Sequence, residues 1–215
     1  MAQNPKTARL VCIAGTHANI RLTAADREFL KDLSKVQLIS SDLADKNHYS
    51  HLKGSSVRSL DRLEKAGLIT SKMLYQSGAA PIKTYQFADK SIAGAFGGKL
   101  PVTGAKRTDL HELMASRAYF ELGRPTSFKL ACEFSKAEIA MCGSLRPDAL
   151  YADASTGETI VVEADSGQYS QKQINAKVAR WRAAGLTKQV WAQPMRSCNR
   201  QVHVPSLPGI EVMRF

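Results

Sequence analysis

Residues 55–69 read SSVRSLDRLEKAGLI. Val57, Leu60 and Leu63 recur every third residue, which predicts a shared apolar face on a short helix. Arg58, Arg62 and Lys65 fall at i, i+4 and i+7 on another face, with Ser55 and Ser59 beside them. Gly54 with Ser55 or Ser56 supplies an N-terminal stop and cap, and Gly67 closes the helix. Two extended runs follow, Leu68 to Tyr75 and Ile82 to Phe87, separated by QSGAAP at 76–81, which has the composition of a hairpin tip. A plainer reading is an amphipathic helix docked on a sheet with its charges merely solvated.

The residues upstream favour the more specific reading. Thr23 to Asp26 (TAAD) resembles a capping box, and Phe29, Leu30 and Leu33 continue an apolar stripe. Ser40 or Ser41 can cap a second short helix containing Leu43 and Ala44. Three helices followed directly by a β-hairpin form the pattern of a winged helix-turn-helix. In that pattern Ser55, Arg58, Ser59, Arg62 and Lys65 face a DNA groove, and Lys72 and Lys83 flank the wing tip. His48, Tyr49, His51 and Lys53 are placed to touch phosphates from the loop before the recognition helix.

Charge agrees with such a partner. The chain of 215 residues carries 30 Lys and Arg against 19 Asp and Glu, a net +11, with pI near 9.6. Residues 1–90 hold 14 basic and 8 acidic side chains, the largest local excess, and no segment is acidic. A balance of this kind suits a polyanion, because neutralising phosphates releases condensed counterions, although it does not separate DNA from RNA or an anionic membrane. Cys12, Cys132, Cys142 and Cys198 lie far apart without a C-x-x-C pair, which reads as free thiols in a reducing compartment rather than zinc ligands. The run LVCIAG at 10–15 is too short for a signal-peptide core, and no stretch approaches a membrane span. The expectation is a soluble cytoplasmic protein with no membrane partner.

Length allows one large or two small domains, and the composition divides the chain into residues 1–90, a linker at 91–107 and a second domain at 108–215. Leu10 to Ala14 reads as a strand or as packing for the first helix. The linker SIAGAFGGKLPVTGAK is rich in glycine, with one helical turn expected around Ile92 to Phe96. Thr108 to Leu122 has the helical stripe Leu110, Leu113, Met114, Ala118 and Leu122, and Gly123 ends it. Strands are expected at Phe128–Cys132, Ala149–Ala152, Thr159–Ala164, Gln189–Gln193 and Ile210–Met213. Helices are expected over Tyr169–Ala184, with Ile174, Val178 and Trp181 inside, and over Ser197–Val202. Trp181 and Trp191 sit in apolar patterns and read as core residues. The order α, β, β, β, α, β describes an α/β (α+β) domain with a mixed central sheet.

One constellation in this second half carries chemistry. Arg146-Pro147-Asp148 precedes a hairpin, Glu163-Ala164-Asp165 closes it, and Lys172 and Lys177 lie on the next helix. Strand alternation puts Glu163 and Asp165 on one face, and a hard cation such as magnesium needs several oxygens converging on one spot. Alternatively, Asp148 caps a turn, and Glu163 and Asp165 end a strand on a solvated face. His48, His51 and His111 are too scattered to form a histidine metal site.

The spacing resembles the PD-(D/E)XK nuclease superfamily, in which Pro-Asp precedes a hairpin and Glu-x-Lys closes it. Pro147-Asp148 and Glu163 match, whereas Asp165 stands where the lysine is expected. In some members the lysine lies on the following helix, where Lys177 and Lys172 stand, and Glu112 is the candidate for an acid on the preceding helix. The resemblance therefore implies a catalytic set of Asp148, Glu163, Asp165 and Lys177, with Asp148 and Glu163 holding magnesium if the site is functional. Asp165 adds negative charge where phosphodiester cleavage needs positive charge, so an inactive nuclease-like domain is expected.

Over residues 21–193 the two halves together resemble the replication-relaxation family of plasmids and other mobile elements. The resemblance implies a sequence-specific double-stranded DNA-binding protein acting in replication or conjugative mobilisation, with a relaxase or replication protein as candidate partner and a homodimer as a candidate assembly. The alternative is a magnesium-dependent endonuclease targeted by its winged helix. A third reading is a protein-interaction adaptor, since some winged helices bind proteins; the basic face of Arg58, Arg62 and Lys65 argues against it.

Overall fold

The computed structural model describes residues 10–11, 20–51, 56–75, 80–98, 109–194 and 203–215. They form two compact units that divide near residue 100. Ser55 and Lys53, and the helix expected over Ser197–Val202, lie outside the described residues.

In the first unit β1 (Leu10–Val11) pairs antiparallel with β2 (Ile20–Arg21). Helix α1 (Ala24–Val36) begins as TAAD predicts. The Thr23 hydroxyl accepts from the Asp26 N–H at 3.1 Å and the Asp26 carboxylate accepts from the Thr23 N–H at 2.7 Å. Phe29, Leu30 and Leu33 are fully buried. After β3 (Ile39–Ser40) comes α2 (Ser41–Ala44), whose N-cap is Ser40 without a side-chain capping bond. The chain does not loop out after α2: residues Asp45–Tyr49 continue as a π-helical turn.

Helix α3 (Ser56–Lys65) buries Leu60 and Leu63, and Gly67 then takes the left-handed conformation at φ +72° that turns the chain into β4 (Ile69–Leu74). Val57 is not on the buried face; it is 62% exposed. A three-residue step rotates 300°, so each repeat slips about 60°, and two slips carry Val57 out of the stripe. β4 and β5 (Ile82–Phe87) form an antiparallel hairpin in register Ile69↔Phe87 to Leu74↔Ile82. β3 joins the far side of β5, giving the three-stranded order β3-β5-β4. Helix α4 (Lys90–Ala95), capped by the Asp89 carboxylate, buries Ile92 and Ala93, and Phe96 stacks on Phe87 at 5.7 Å. The first unit thus runs past residue 90 into the stretch expected as linker.

The second unit is α+β with a mixed five-stranded sheet. Helix α5 (Asp109–Glu121) is followed by β6 (Lys129–Leu130), a 3₁₀ turn at Ala131–Glu133 and α6 (Lys136–Cys142). The strand expected over Phe128–Cys132 is therefore cut to two residues, because the Glu133 carboxylate accepts from the Leu130 N–H and turns the backbone helical. Then come β7 (Ala149–Ala152), β8 (Thr159–Ala164), α7 (Gln171–Ala183), β9 (Gln189–Gln193) and β10 (Ile210–Arg214). The sheet order is β10-β9-β8-β7-β6, antiparallel from β6 to β8 and parallel from β8 to β10. Helix α7 starts two residues later than its apolar pattern suggests, because the Ser170 hydroxyl caps it in a box with Gln173.

Helix α5 packs on β8 and β9. Leu150, Val161 and Trp191 of the sheet share a core with Ile174, Val178 and Trp181 of α7. Trp181 and Trp191 are fully buried with ring centres 5.8 Å apart, and the Trp181 indole N–H donates to the Leu145 carbonyl at 2.7 Å. Their reading as core holds.

Candidate functional site

Two groups of side chains stand out, one in each unit. On α3 the outward face carries Val57, Arg58 and Lys65, all exposed, with Ser59 half-buried at its margin. Opposite lie Leu60 and Leu63, which bind the helix to the core.

Arg62 sits on a flank of this face and is drawn inward. Its guanidinium forms an ion pair with the fully buried Asp26 and donates to the Arg21 carbonyl at 2.7 Å. The same Asp26 accepts from the Thr23 hydroxyl at 2.7 Å and from the Tyr49 hydroxyl at 3.2 Å. Burial, and secondarily the Asp26 charge, push the Tyr49 hydroxyl far above its usual pKa, so it stays a donor. One carboxylate thereby ties the start of α1, the π-helical turn and α3 together. The sequence pattern shows Asp26 only as a cap. Its second role depends on a contact across 36 positions of chain.

The expectation that His48 and Tyr49 reach phosphates is corrected. His48 is buried with Nε2 3.4 Å from Asp32 Oδ2, and Tyr49 is fully buried, because the helical turn rotates both into the core. His51 is exposed.

At the hairpin, Lys83 Nζ lies 3.9 Å from Asp61, 3.8 Å from Glu64 and 5.2 Å from the Tyr85 ring centre. Burial works against its ammonium charge, but Tyr85, Glu64 and Asp61 outweigh it and raise the pKa. Lys72 is half-buried on β4, its carbonyl accepting from the Thr84 hydroxyl at 3.2 Å.

In the second unit the register Ala149↔Val162, continued by one residue, sets Asp148 opposite Glu163. Asp148 Oδ2 accepts from the Ala164 N–H at 2.8 Å, and His111 Nε2 on α5 lies 2.7 Å from Asp148 Oδ1. From the other side Lys177 of α7 reaches back over the hairpin and pairs with Glu163. The Lys177 ammonium also donates to the Tyr169 hydroxyl at 3.1 Å and lies 4.6 Å from that ring's centre. Glu163 is fully buried; burial first, then the nearby Asp148 charge, push its carboxyl up to about 8, against the pull of Lys177. Asp165 is held apart, accepting from the Gln193 amide at 3.0 Å and the Gly167 N–H at 2.8 Å. Glu112 is buried on α5, and Lys172 is exposed at the start of α7.

These carboxylates do not fit a divalent cation. A hard cation needs several converging oxygens, but both Asp148 oxygens face His111 and a backbone N–H, and both Asp165 oxygens face Gln193 and Gly167. Glu163 pairs Oε1 with Lys177, leaving Oε2 buried without a hydrogen bond, a single free ligand. Among the described residues no group of three or more His, Cys, Asp or Glu is arranged to hold a metal ion. Protein cations and donors occupy the place where the resemblance calls for magnesium.

Comparison with family models, curated proteins and solved structures returned no match to this chain. Among the described residues no helix is long and apolar enough to cross a membrane. His111, which the sequence shows only as a histidine too scattered for a metal site, and Tyr169, which it shows only as the start of a helix, complete the Asp148–Glu163–Lys177 group. The only sequence signal for them is a histidine near the start of one helix and a tyrosine just before another.

Proposed function

We propose that this chain is a sequence-specific double-stranded DNA-binding protein of a plasmid or other mobile element. In this reading the first unit is a winged helix-turn-helix, and the second is a PD-(D/E)XK-like domain that contributes contacts or assembly without cutting DNA. The observation that carries it is the first unit's order of elements, α1-β3-α2-α3-β4-β5 with sheet order β3-β5-β4, which leaves α3 beside a hairpin with Arg58 and Lys65 outward. Such a helix is the right size for a major groove, and arginine pairs bidentately with guanine. Replication or conjugative mobilisation is the process the family resemblance supports, with a relaxase or replication protein as partner.

The second unit supports the non-cutting reading through its charge arrangement. Lys177 restores a positive charge beside Glu163, yet its ammonium is bonded to that carboxyl group instead of leaving it free for metal. The test is an anisotropy titration of the full chain against intergenic DNA of its own replicon and against a scrambled duplex, at fixed salt. Preference for the native duplex that Arg58→Ala diminishes supports the reading. Equal, weak binding to both duplexes sinks it.

A further inference from the structure

We infer that an apolar strip between α3 and β4 reads the 5-methyl groups of thymine, with Val57 as the specificity-determining contact. The inference rests on the proposed DNA-binding reading and deepens it. Among the described residues of the first unit three large apolar side chains are exposed: Val57 at 62%, Met73 at 45% and Tyr75 at 81%. Singly, each would be ordinary; converging on one strip, they mark an interaction surface.

The register brings them together. Ser71, Met73 and Tyr75 alternate onto one face of β4 and its extension. The Ser71 N–H and hydroxyl both donate to Glu64 of α3, at 2.9 and 2.7 Å. Met73 pairs in register with Lys83, whose ammonium faces Asp61 and Glu64. Moving forward along β4 therefore moves backward along α3. Val57, Asp61 and Glu64 stand at i, i+4 and i+7, on one flank of the helix. From Glu64 back to Val57 the helix rises about 10 Å, and from Ser71 to Tyr75 the strand advances about 13 Å. Tyr75 consequently reaches the level of Val57, with Met73 between them.

The occupant follows from position, and from charge once Lys83 offsets Asp61 and Glu64 on this flank. Val57 lies in the first turn of α3, where a helix laid in the major groove comes closest to the base edges. Arg58 next to it and Lys65 further along are exposed cations suited to a polyanion. In that groove the sole apolar feature of a base pair is the thymine methyl, and apolar side chains recognise it. Met73 and Tyr75 cover the same flank and exclude water from the contact.

The test starts from a duplex selected by the full chain from a random pool, with each thymine then replaced by deoxyuridine, which removes only the methyl. Binding is measured for wild type, Val57→Ala and Tyr75→Ala. At one or two positions deoxyuridine should weaken wild-type binding about fourfold, the effect of exposing one methyl group. Val57→Ala should bind the thymine duplex correspondingly less well and lose its sensitivity at the same position. Specific binding that ignores every deoxyuridine, or a Val57→Ala variant with undiminished sensitivity, overturns the inference while leaving DNA binding standing. Recovery of no duplex, with self-association that Tyr75→Ala dissolves, would make the strip a protein interface and remove both readings.

Discussion

Replacing Arg62 separates structural from DNA-reading roles on α3. The guanidinium pairs with Asp26, which is fully buried, while the Arg62 side chain itself is 38% exposed. Breaking a buried pair leaves an uncompensated charge at about 3–5 kcal/mol. Water reaches this arginine, so the pair is worth less, and Arg62→Ala should destabilise the first unit by about 2 kcal/mol. Asp26→Ala removes more. It also strips the acceptor from the Thr23 N–H, about 1 kcal/mol of capping, and leaves the Tyr49 hydroxyl buried without its partner, about 1–3 kcal/mol. The total is at least about 4 kcal/mol, taking the lower end for the Tyr49 hydroxyl. At about 4–8 °C per kcal/mol for a unit of this size, the two variants should lower its Tm by about 10 °C and about 20 °C. The double variant should be only slightly less stable than Asp26→Ala alone, because the two share the ion pair and only the exposed Arg62 bond to the Arg21 carbonyl is lost in addition. Urea unfolding followed by circular dichroism measures each, with Arg58→Ala as the exposed control that leaves stability unchanged. If Arg62→Ala stays within about 0.5 kcal/mol of wild type and instead loses only sequence preference, the structural role assigned to Arg62 is refuted.

Lys72→Ala should weaken binding to all duplexes alike and lower the salt slope by about 0.9 for one phosphate no longer neutralised, while Lys83→Ala should lower it less because its ammonium already faces Asp61 and Glu64; an unchanged slope in both takes the hairpin off the DNA. Burial, and then the Asp148 charge, hold the Glu163 carboxyl above the ordinary carboxylate range in the fold, against the pull of Lys177. The stability from that raised pKa is therefore full below the unfolded pKa of about 4.3 and is lost as pH rises through the raised folded value. Glu163→Gln, which cannot ionise, should flatten that decline, and parallel slopes for wild type and variant between pH 5 and 8 would contradict it. Supercoiled cognate DNA incubated with magnesium or manganese should remain uncut; nicking abolished by both Asp148→Ala and Glu163→Ala would promote the endonuclease reading. Trp181→Ala should destabilise the second unit by about 3–5 kcal/mol, checked by its urea midpoint.

Local chemistry was readable from residues alone. Strand bounds at Ala149–Ala152, Thr159–Ala164, Gln189–Gln193 and Ile82–Phe87 follow from β-rich runs between turn residues, and they agree with the fold. The box at Thr23 and Asp26 was legible because a cap involves groups only three residues apart. The Pro147-Asp148 and Glu163 spacing marked one end of a hairpin because antiparallel register brings such positions face to face.

What tertiary structure decided was the destination of each charge. Arg58 and Arg62 look equivalent in the sequence, yet one is exposed and the other is bound to Asp26, because only the tertiary fold brings that carboxylate, 36 positions away, within reach. Lys177 could be placed on a helix from its period, but its approach to Glu163 depends on how α7 crosses the sheet after Gly167. His48 and Tyr49 moved from expected surface to core because the helical backbone continues through Asp45–Tyr49 and turns their side chains inward. Hydrophobic period and capping act over one or two turns of chain, and sequence records them directly. Ion pairs between distant elements depend on the angle at which those elements pack, which no local pattern encodes.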